Sequence, residues 1–198
     1  MRSLFIDNSL GLIRRHYPDY SEEKIEEIEY GLLSIYITIT KLAVIAVVAI
    51  ILGAVKECFL FILFYNFIRT TSFGLHATKS WACMISSIII FIGGPIICMN
   101  IELSMNLILI LGVINVLLIY KNSPADTYNR PIISSKRRST FKLLSTIIAT
   151  AMVIAALIVN SVFIANTLII VLAVQNFLIS PFGYRIFNLP YDNYKNYI

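Results

Sequence analysis

The chain has 198 residues, of which 58% are hydrophobic and only 14% are charged, with a formal net charge of +5. A soluble globular domain carries about 25% charged residues, so this composition, with a mean hydropathy of +0.81, excludes an ordinary soluble domain. The basic residues border apolar segments, which indicates membrane orientation, and no nucleic-acid partner is expected.

The first 30 residues mix polar and apolar side chains and are expected to form cytosolic or interfacial helices. No signal peptide is expected, because the start lacks an uninterrupted apolar core before a small-residue cleavage site. A short helix on the membrane surface is predicted up to about His16. Ser21 before Glu22 and Glu23 then indicates the N-cap of a second helix, with acidic side chains in its first turn.

Long apolar segments predict an all-α, polytopic membrane protein. We expect about six transmembrane helices, at residues 32–54, 56–69, 82–99, 103–120, 143–160 and 162–180. The second segment is short: as a helix it covers about 21 Å of a hydrocarbon core of about 30 Å. It is therefore either a tilted span or a re-entrant segment. The run Gly93-Gly94-Pro95 is expected to bend or interrupt the third span.

The distribution of basic residues predicts the topology. With six spans, 14 of the 16 Lys and Arg residues fall on the side of the N-terminus, which places both termini in the cytoplasm. We expect one membrane domain over residues 1–198, with a bundle at 31–180 and a cytosolic tail at 181–198. Lys41, within the first span, is expected to face the bundle interior or to extend towards the interface.

The sequence does not indicate a metal-dependent or an aspartyl intramembrane protease. The sequence has no His-Glu-x-x-His motif and only two histidines, so no metal or other cofactor is expected. The predicted spans carry no carboxylate in their central parts, which argues against an aspartyl protease. Glu22 and Glu23 are paired carboxylates, but they belong to a solvated helix start.

A cysteine protease is the remaining class, and its candidate residues are Cys83 and His76. A nucleophilic cysteine needs a base within hydrogen-bond reach, whereas seven residues on one straight helix separate the two by about 10.5 Å. We therefore expect a loop or helix break around Gly74 that brings His76 towards Cys83. The alternative is a structural histidine and a cysteine that acts as a small hydrophobic residue. Cys58 and Cys98 fall near the outer face, whereas Cys83 falls at the cytosolic face, where thiols stay reduced.

The loop between the fourth and fifth predicted spans is both basic and proline-containing. Pro124 and Pro131 stiffen it, and Asp126 begins a predicted turn. It is either a positive-inside loop or a surface that shapes the site and holds an acidic substrate. The basic residues proposed for that second role are Arg130, Lys136, Arg137 and Arg138. Arg69, at the end of the second span, is either an interfacial anchor or a ligand for a substrate carboxylate.

Three sequence features together resemble one known family. They are Arg69-x-x-Ser72-x-Gly74-x-His76-Ala77, the pair His76 and Cys83 with six residues between them, and Pro124-Ala125-Asp126-Thr127-x-Asn129-Arg130-Pro131-Ile132. The chain resembles the accessory gene regulator B family, the membrane peptidases of Gram-positive peptide quorum sensing, over nearly its whole length. Phe73 and Ser123 depart from the glycine and alanine associated with the family.

The resemblance implies a membrane cysteine endopeptidase with Cys83 as nucleophile and His76 as base. Its substrate would be an accessory gene regulator D-type propeptide, which loses its acidic C-terminal tail and is closed into a thiolactone, the precursor of an autoinducing peptide. Arg69, Ser72 and Gly74 would support the site. The implied location is the cell membrane of a Gram-positive bacterium, in contact with lipid, with the active site at the cytoplasmic face and a possible homodimer.

Asp126 is, by elimination, the candidate for a group that orients His76. The alternative function is a non-catalytic membrane carrier for a small peptide, with Lys41, Asn106 and Asn115 lining its path. The two functions differ in one respect: only a peptidase needs Cys83 and His76 for cleavage.

Overall fold

The computed structural model describes residues 2–75, 80–126 and 131–197 of the chain, and these residues are mainly helical. The helices are α1 (Arg2–His16), α2 (Glu22–Ile51), α3 (Val55–Ser72), α4 (Ser80–Ile88), a π-helical segment (Ile89–Gly93), α5 (Gly94–Asn100), α6 (Met105–Asn122), α7 (Ser135–Ile158), α8 (Val162–Ile179), α9 (Pro181–Ile186) and a 3₁₀ turn (Asn193–Tyr197). The predicted all-α, polytopic architecture is confirmed.

Five helical runs in the described parts of the chain are long and apolar enough to cross a membrane. They are Glu22–Ile51, Trp81–Asn100, Met105–Asn122, Ser135–Ile158 and Val162–Ile179. Helix α3, which contains the second predicted span, is not among them because Lys56, Glu57 and Arg69 reduce its hydropathy. It is nevertheless 18 residues long, four more than predicted and as long as α6 and α8.

The chain divides into two compact units, residues 1–48 and 49–198. In the first, Ser21 Oγ accepts a hydrogen bond from the Lys24 amide at 3.3 Å, which confirms the predicted N-cap. Arg14 donates two hydrogen bonds to the Glu22 carboxylate, at 2.8 and 2.7 Å, across the loop between α1 and α2. Buried Ile25 lies one turn beyond the cap.

In the second unit, α8 is the most buried helix and packs on α3, α5, α6 and α7. Side-chain amides of α8 form hydrogen bonds to neighbouring helices, because polar groups in an apolar environment need partners. Asn166 Nδ2 donates to the Cys98 and Ile101 carbonyl oxygens, at 3.2 and 2.7 Å, and holds the end of α5. Asn176 Nδ2 donates to Asn115 Oδ1 at 2.7 Å and joins α8 to α6.

The third predicted span is one helical run whose regular α-helical hydrogen bonding is interrupted, as predicted from Gly93-Gly94-Pro95. The π-helical segment Ile89–Gly93 ends directly before Gly94 and Pro95. Gly94 also permits close packing, because a Cβ there would lie only 2.5 Å from Cζ of Phe61 on α3. The interruption therefore lies next to a close contact between this run and α3.

The C-terminal ends of α3, α6 and α8 meet at one end of the second unit. Phe73 and Ala125 form a parallel β-bridge just after α3 and α6, and the Leu75 amide donates to the Leu178 carbonyl oxygen at 3.1 Å. This end of the bundle carries the sequence features singled out for chemistry.

Candidate active site at the ends of α3, α6 and α8

A short non-helical turn, Phe73–Gly74–Leu75, follows α3 and leads directly to His76; we name it the site turn. Backbone hydrogen bonds fix it from two sides. The Gly74 amide donates to the Ala125 carbonyl oxygen at 3.2 Å, and the Ala125 amide donates to the Ser72 carbonyl oxygen at 3.1 Å. Together with the Leu75–Leu178 bond, these contacts tie the site turn to the ends of α6 and α8.

Gly74 is required at this turn by its backbone conformation and its surroundings. Its φ of +110° lies in the region that L side chains rarely adopt. A Cβ would also lie 2.9 Å from the Leu178 carbonyl oxygen and 2.9 Å from Ile179 Cγ2. The break predicted around Gly74 is therefore present in the structure.

Arg69 clamps the site turn. Its Nη2 donates to the Leu75 carbonyl oxygen at 2.6 Å and more weakly to that of Gly74 at 3.4 Å, and its guanidinium lies 5.8 Å from the centroid of the Tyr65 ring. Nη1 is buried and has no hydrogen-bond partner among the described residues. Arg69 is thus more than an interfacial anchor, since it binds the backbone that enters the site.

Ser72 and Gln175 add a buried polar contact behind the turn. Gln175 Nε2 donates to Ser72 Oγ and to the Phe73 carbonyl oxygen, both at 2.7 Å, and Ser72 Oγ donates to the Ile68 carbonyl oxygen at 2.7 Å. Ser72 is a predicted site residue, whereas Gln175 was missed. The signal available in the sequence was an amide in an otherwise apolar span, where a polar side chain needs a partner.

The register between α3 and the run that carries Cys83 follows from two contacts. The rings of Tyr65 and Phe91 pack edge to face with centroids 5.1 Å apart. One turn earlier on α3, Phe61 packs on Gly94, which lies further along the partner run. From the first contact to the second, residue numbers decrease on α3 and increase on the Trp81–Asn100 run. The two are therefore antiparallel.

This register brings Cys83 level with the end of α3. Phe91 lies eight residues after Cys83, and Tyr65 lies seven residues before Ser72, which correspond to about 12 and 10.5 Å of helix. Cys83, Ser87 and Phe91 recur every four residues and are all buried, so they share one face of this run. On that face Phe91 contacts Tyr65 of α3, and the buried Cys83 side chain lies about level with the end of α3.

His76 and Arg130 lie outside the described residues. The predicted pairing of His76 with Cys83 therefore stays a prediction, as does a substrate contact by Arg130. The structure describes the chain up to Leu75 on one side and Cys83 within the first turn of α4 on the other.

Asp126 has a fully buried side chain whose carboxylate is already engaged. Its Oδ1 accepts from Arg138 Nη1 at 2.7 Å and from the Ile132 amide at 3.1 Å, and its Oδ2 accepts from the Tyr194 amide at 3.2 Å. These bonds tie the start of the loop to α7 and to the C-terminal tail. An additional contact of Asp126 with His76 stays a prediction.

Arg138, predicted as a docking residue, instead binds groups around Asp126. Besides Asp126, it donates to the Pro124 carbonyl oxygen at 3.2 Å, and its guanidinium lies 3.5 Å from the centroid of the Tyr194 ring. Its side chain is only 18% exposed. Lys136 and Arg137, by contrast, are exposed, so they are the cations of this run that face outwards.

The C-terminal tail completes the cluster and was missed in the sequence. The Tyr184 hydroxyl donates to the Asp126 carbonyl oxygen, and the Tyr184 and Tyr191 rings pack edge to face at 5.3 Å. Burial raises the pKa of Tyr184 above its ordinary value, with a smaller contribution from the Asp126 carboxylate. No helical spacing links these tyrosines to residue 126, so only the folded chain brings them together.

A groove of about 680 Å³ opens beside the site turn, within the usual size range of about 300–1,000 Å³ for ligand clefts. Its lining is mainly apolar, with one cation. The lining residues are Phe73, Ala125, Pro131, Ile132, Ile133, Ser134, Arg137 and Phe141. The Phe73 and Phe141 rings pack edge to face at 4.9 Å and form one wall. The groove therefore adjoins the segment that leads to His76.

Comparison with known proteins gives one consistent result. Residues 7–179 match the family model described as Accessory gene regulator B. An AgrB-like protein of Listeria monocytogenes serovar 1/2a is 30% identical over 181 residues, covering 89% of this chain and 86% of the relative. An AgrB-like protein of Clostridium acetobutylicum is 25% identical over 171 residues, covering 86% and 82%. No solved structure matches significantly.

Proposed function

Because the chain belongs to the accessory gene regulator B family, we propose that it is a membrane cysteine endopeptidase that processes the propeptide of a quorum-sensing signal. Cys83 is the nucleophile and His76 the general base. The observation that supports this assignment is the helix register, in which buried Cys83 is about level with the end of α3 that leads through the site turn to His76.

The reaction needs two acyl transfers. His76 takes the proton of the Cys83 thiol, the sulfur anion attacks the scissile carbonyl carbon, the C–N bond breaks, and the departing amine takes that proton from His76. A propeptide cysteine then gives its thiol proton to His76 and attacks the thioester carbonyl carbon. The bond to Cys83 breaks, a thiolactone closes, and the released Cys83 sulfur takes the proton back from His76. Water would divert the thioester to a linear product, so a thiol that faces the bundle rather than solvent favours cyclisation.

The three thiols differ in their position in the bundle. Cys83 lies near the start of α4, about level with the end of α3 from which the site turn follows. Cys58 and Cys98 are also buried, but they lie in α3 and α5, away from the end of the bundle at which the site turn lies. Of the three thiols, Cys83 alone has the setting that the reaction requires.

The membrane topology that fits this function has six passes, both termini in the cytoplasm and the site at the cytoplasmic face. Helix α3 is antiparallel to the Trp81–Asn100 run, and it contributes fully buried residues to the bundle despite its charged ends. A passage of α3 through the membrane would place the site turn on the same side as the first turn of α7, which carries Lys136 and Arg137.

The acidic tail of the propeptide would bind the exposed cations in the first turn of α7, which were expected on a loop but lie in this helix. Lys136 and Arg137 raise the local concentration of an acidic peptide through their charge. Arg138 serves differently, because its contact with Asp126 ties the start of α7 to the residues that follow α6. Arg69 likewise holds the backbone of the site turn in position.

The test is co-expression with a propeptide that has an amphipathic start, one cysteine and an acidic end, followed by mass spectrometry of the products. Cys83→Ala and His76→Ala should each abolish cleavage, whereas Cys58→Ala and Cys98→Ala should preserve it. Cleavage that survives Cys83→Ala would contradict the proposal.

The alternative is a carrier that moves a peptide without cutting it. Its proposed path included Asn115, which is buried and hydrogen-bonded to Asn176, and Asn106, which is exposed. Nothing in these two environments favours a polar path through the unit that contains them. A carrier would tolerate Cys83→Ala and His76→Ala, so the same experiment distinguishes the two functions.

A further inference from the structure

The groove beside the site turn has two chemically different parts. Its apolar wall contains Phe73, Ile133 and Phe141, of which Ile133 is 48% exposed and thus faces the opening. An exposed apolar concavity of this size indicates a ligand with an apolar group.

The other end of the groove is positively charged. Ser134 is the N-cap of α7, with its Oγ accepting from the Arg137 amide at 3.5 Å, and the helix dipole favours an anion at this terminus. Arg137 lines the same groove and is exposed. Among the described residues it has no salt bridge, in contrast to Arg138 next to it. A carboxylate would therefore find a charged partner at this end.

We propose that this groove binds the propeptide by an apolar side chain and a neighbouring carboxylate. The apolar side chain lies against Phe73, Ile133 and Phe141, and the carboxylate pairs with Arg137. The inference rests on the proposed function for the identity of the ligand, and it assigns a specificity determinant that the catalytic pair alone does not supply.

A peptide fits the location better than a lipid does. Phe73 lines the groove and belongs to the site turn, so a chain held in the groove lies against the turn that precedes His76 in the sequence. The wall formed by residues 131–134 is non-helical, and such a backbone suits an extended peptide. An anionic lipid headgroup would also pair with Arg137, so the test includes an anionic lipid.

The test measures binding of fluorescein-labelled ten-residue Gly-Ser peptides that carry a central Leu-Glu pair. The protein is the full chain with Cys83→Ala, which prevents turnover, in phosphatidylcholine nanodiscs. Groove variants are Ile133→Ser and Arg137→Gln, both at exposed positions. Matched controls are Ile186→Ser and Arg185→Gln on α9, which are also exposed and do not line the groove.

Ile133→Ser should weaken binding about tenfold through lost apolar burial, and Arg137→Gln about threefold through loss of a partly solvated charge pair. The controls should bind as the parent protein does. A Leu-Gln peptide should bind more weakly and lose its dependence on Arg137. Equal effects of groove and control variants would overturn the proposal.

Two further arms separate the remaining outcomes. If the peptide does not bind but phosphatidylglycerol is retained in a manner that depends on Ile133 and Arg137, the groove is a lipid site and the proposal is wrong. With Cys83 restored, cleavage with an unchanged KM in both groove variants would refute the groove and leave the proposed function standing. Groove-dependent binding by a protein that cleaves no propeptide would refute the proposed function and leave the groove standing.

Discussion

Replacement of Asp126 by Asn tests whether the buried ion pair holds the loop and the tail together. The Asp126 side chain is 0% exposed and that of Arg138 18% exposed. Removal of one partner of a buried pair costs about 3–5 kcal/mol, because it leaves the other charge uncompensated. Since Arg138 keeps some solvent contact and the Tyr194 ring, we expect the lower end of this range, about 3 kcal/mol.

The assay is amide hydrogen exchange of the protein in nanodiscs, read at Ile132 and Tyr194. Both amides donate to the Asp126 carboxylate, so their protection reports directly on the cluster. A loss of 3 kcal/mol corresponds to exchange roughly a hundredfold faster if local opening limits the rate. Amides in the middle of α8 should be unaffected.

Asp192→Asn is the matched control, because Asp192 pairs with Lys195 at 2.6 Å at a much more exposed site. Exposed pairs contribute little to stability, so exchange at Ile132 should remain slow. Unchanged protection in Asp126→Asn, or an equal loss in Asp192→Asn, would refute the structural role assigned to the buried pair.

Two other substitutions test the site and its support. Gly74→Ala should destabilise the site turn by roughly 2–3 kcal/mol, because residue 74 has a positive φ and the new Cβ would contact the Leu178 carbonyl oxygen, and it should reduce propeptide cleavage. The control Gly31→Ala, in an open helical position, should preserve cleavage. Full activity of Gly74→Ala would contradict the assignment. Tyr184→Phe should cost about 1 kcal/mol at pH 8 by loss of its hydrogen bond. Because the pKa of Tyr184 is raised by burial, the unfolded state loses its proton first as pH rises above about 10, so wild-type stability falls there. Denaturant unfolding should therefore show a smaller difference between wild type and Tyr184→Phe at pH 10.5 than at pH 8, and a constant difference would argue against the buried phenol.

Local signals in the sequence were sufficient for much of the fold. Charge-free apolar stretches of about 20 residues have few stable conformations other than helices in a membrane. Ser21 predicted an N-cap, and Gly74 predicted the end of a helix, because each acts through its own backbone neighbours. The status of α3 was harder to predict, since its charged ends oppose insertion while Phe61 and Ile68 are fully buried.

The support of the site depends on contacts that sequence spacing does not encode. Asp126 and Arg138 are twelve residues apart across a loop, and Tyr184 and Tyr194 come from a tail that lies beyond the family match at residues 7–179. Arg138 was therefore grouped with its basic neighbours as a docking residue. Only the packing of the tail and of Asp126 around Arg138 distinguishes its partly buried side chain from the exposed one of Arg137.

The most direct test of the central claim is a search for an acyl group on Cys83. Purified protein is mixed with a propeptide, quenched in acid within the first turnover and analysed by intact-protein and peptide mass spectrometry. The account predicts a thioester at Cys83 whose mass equals the propeptide without its C-terminal tail, and whose release by added thiol regenerates the free cysteine. Efficient cleavage with Cys83 unmodified at every time point, or an adduct at Cys58 or Cys98 instead, would contradict it.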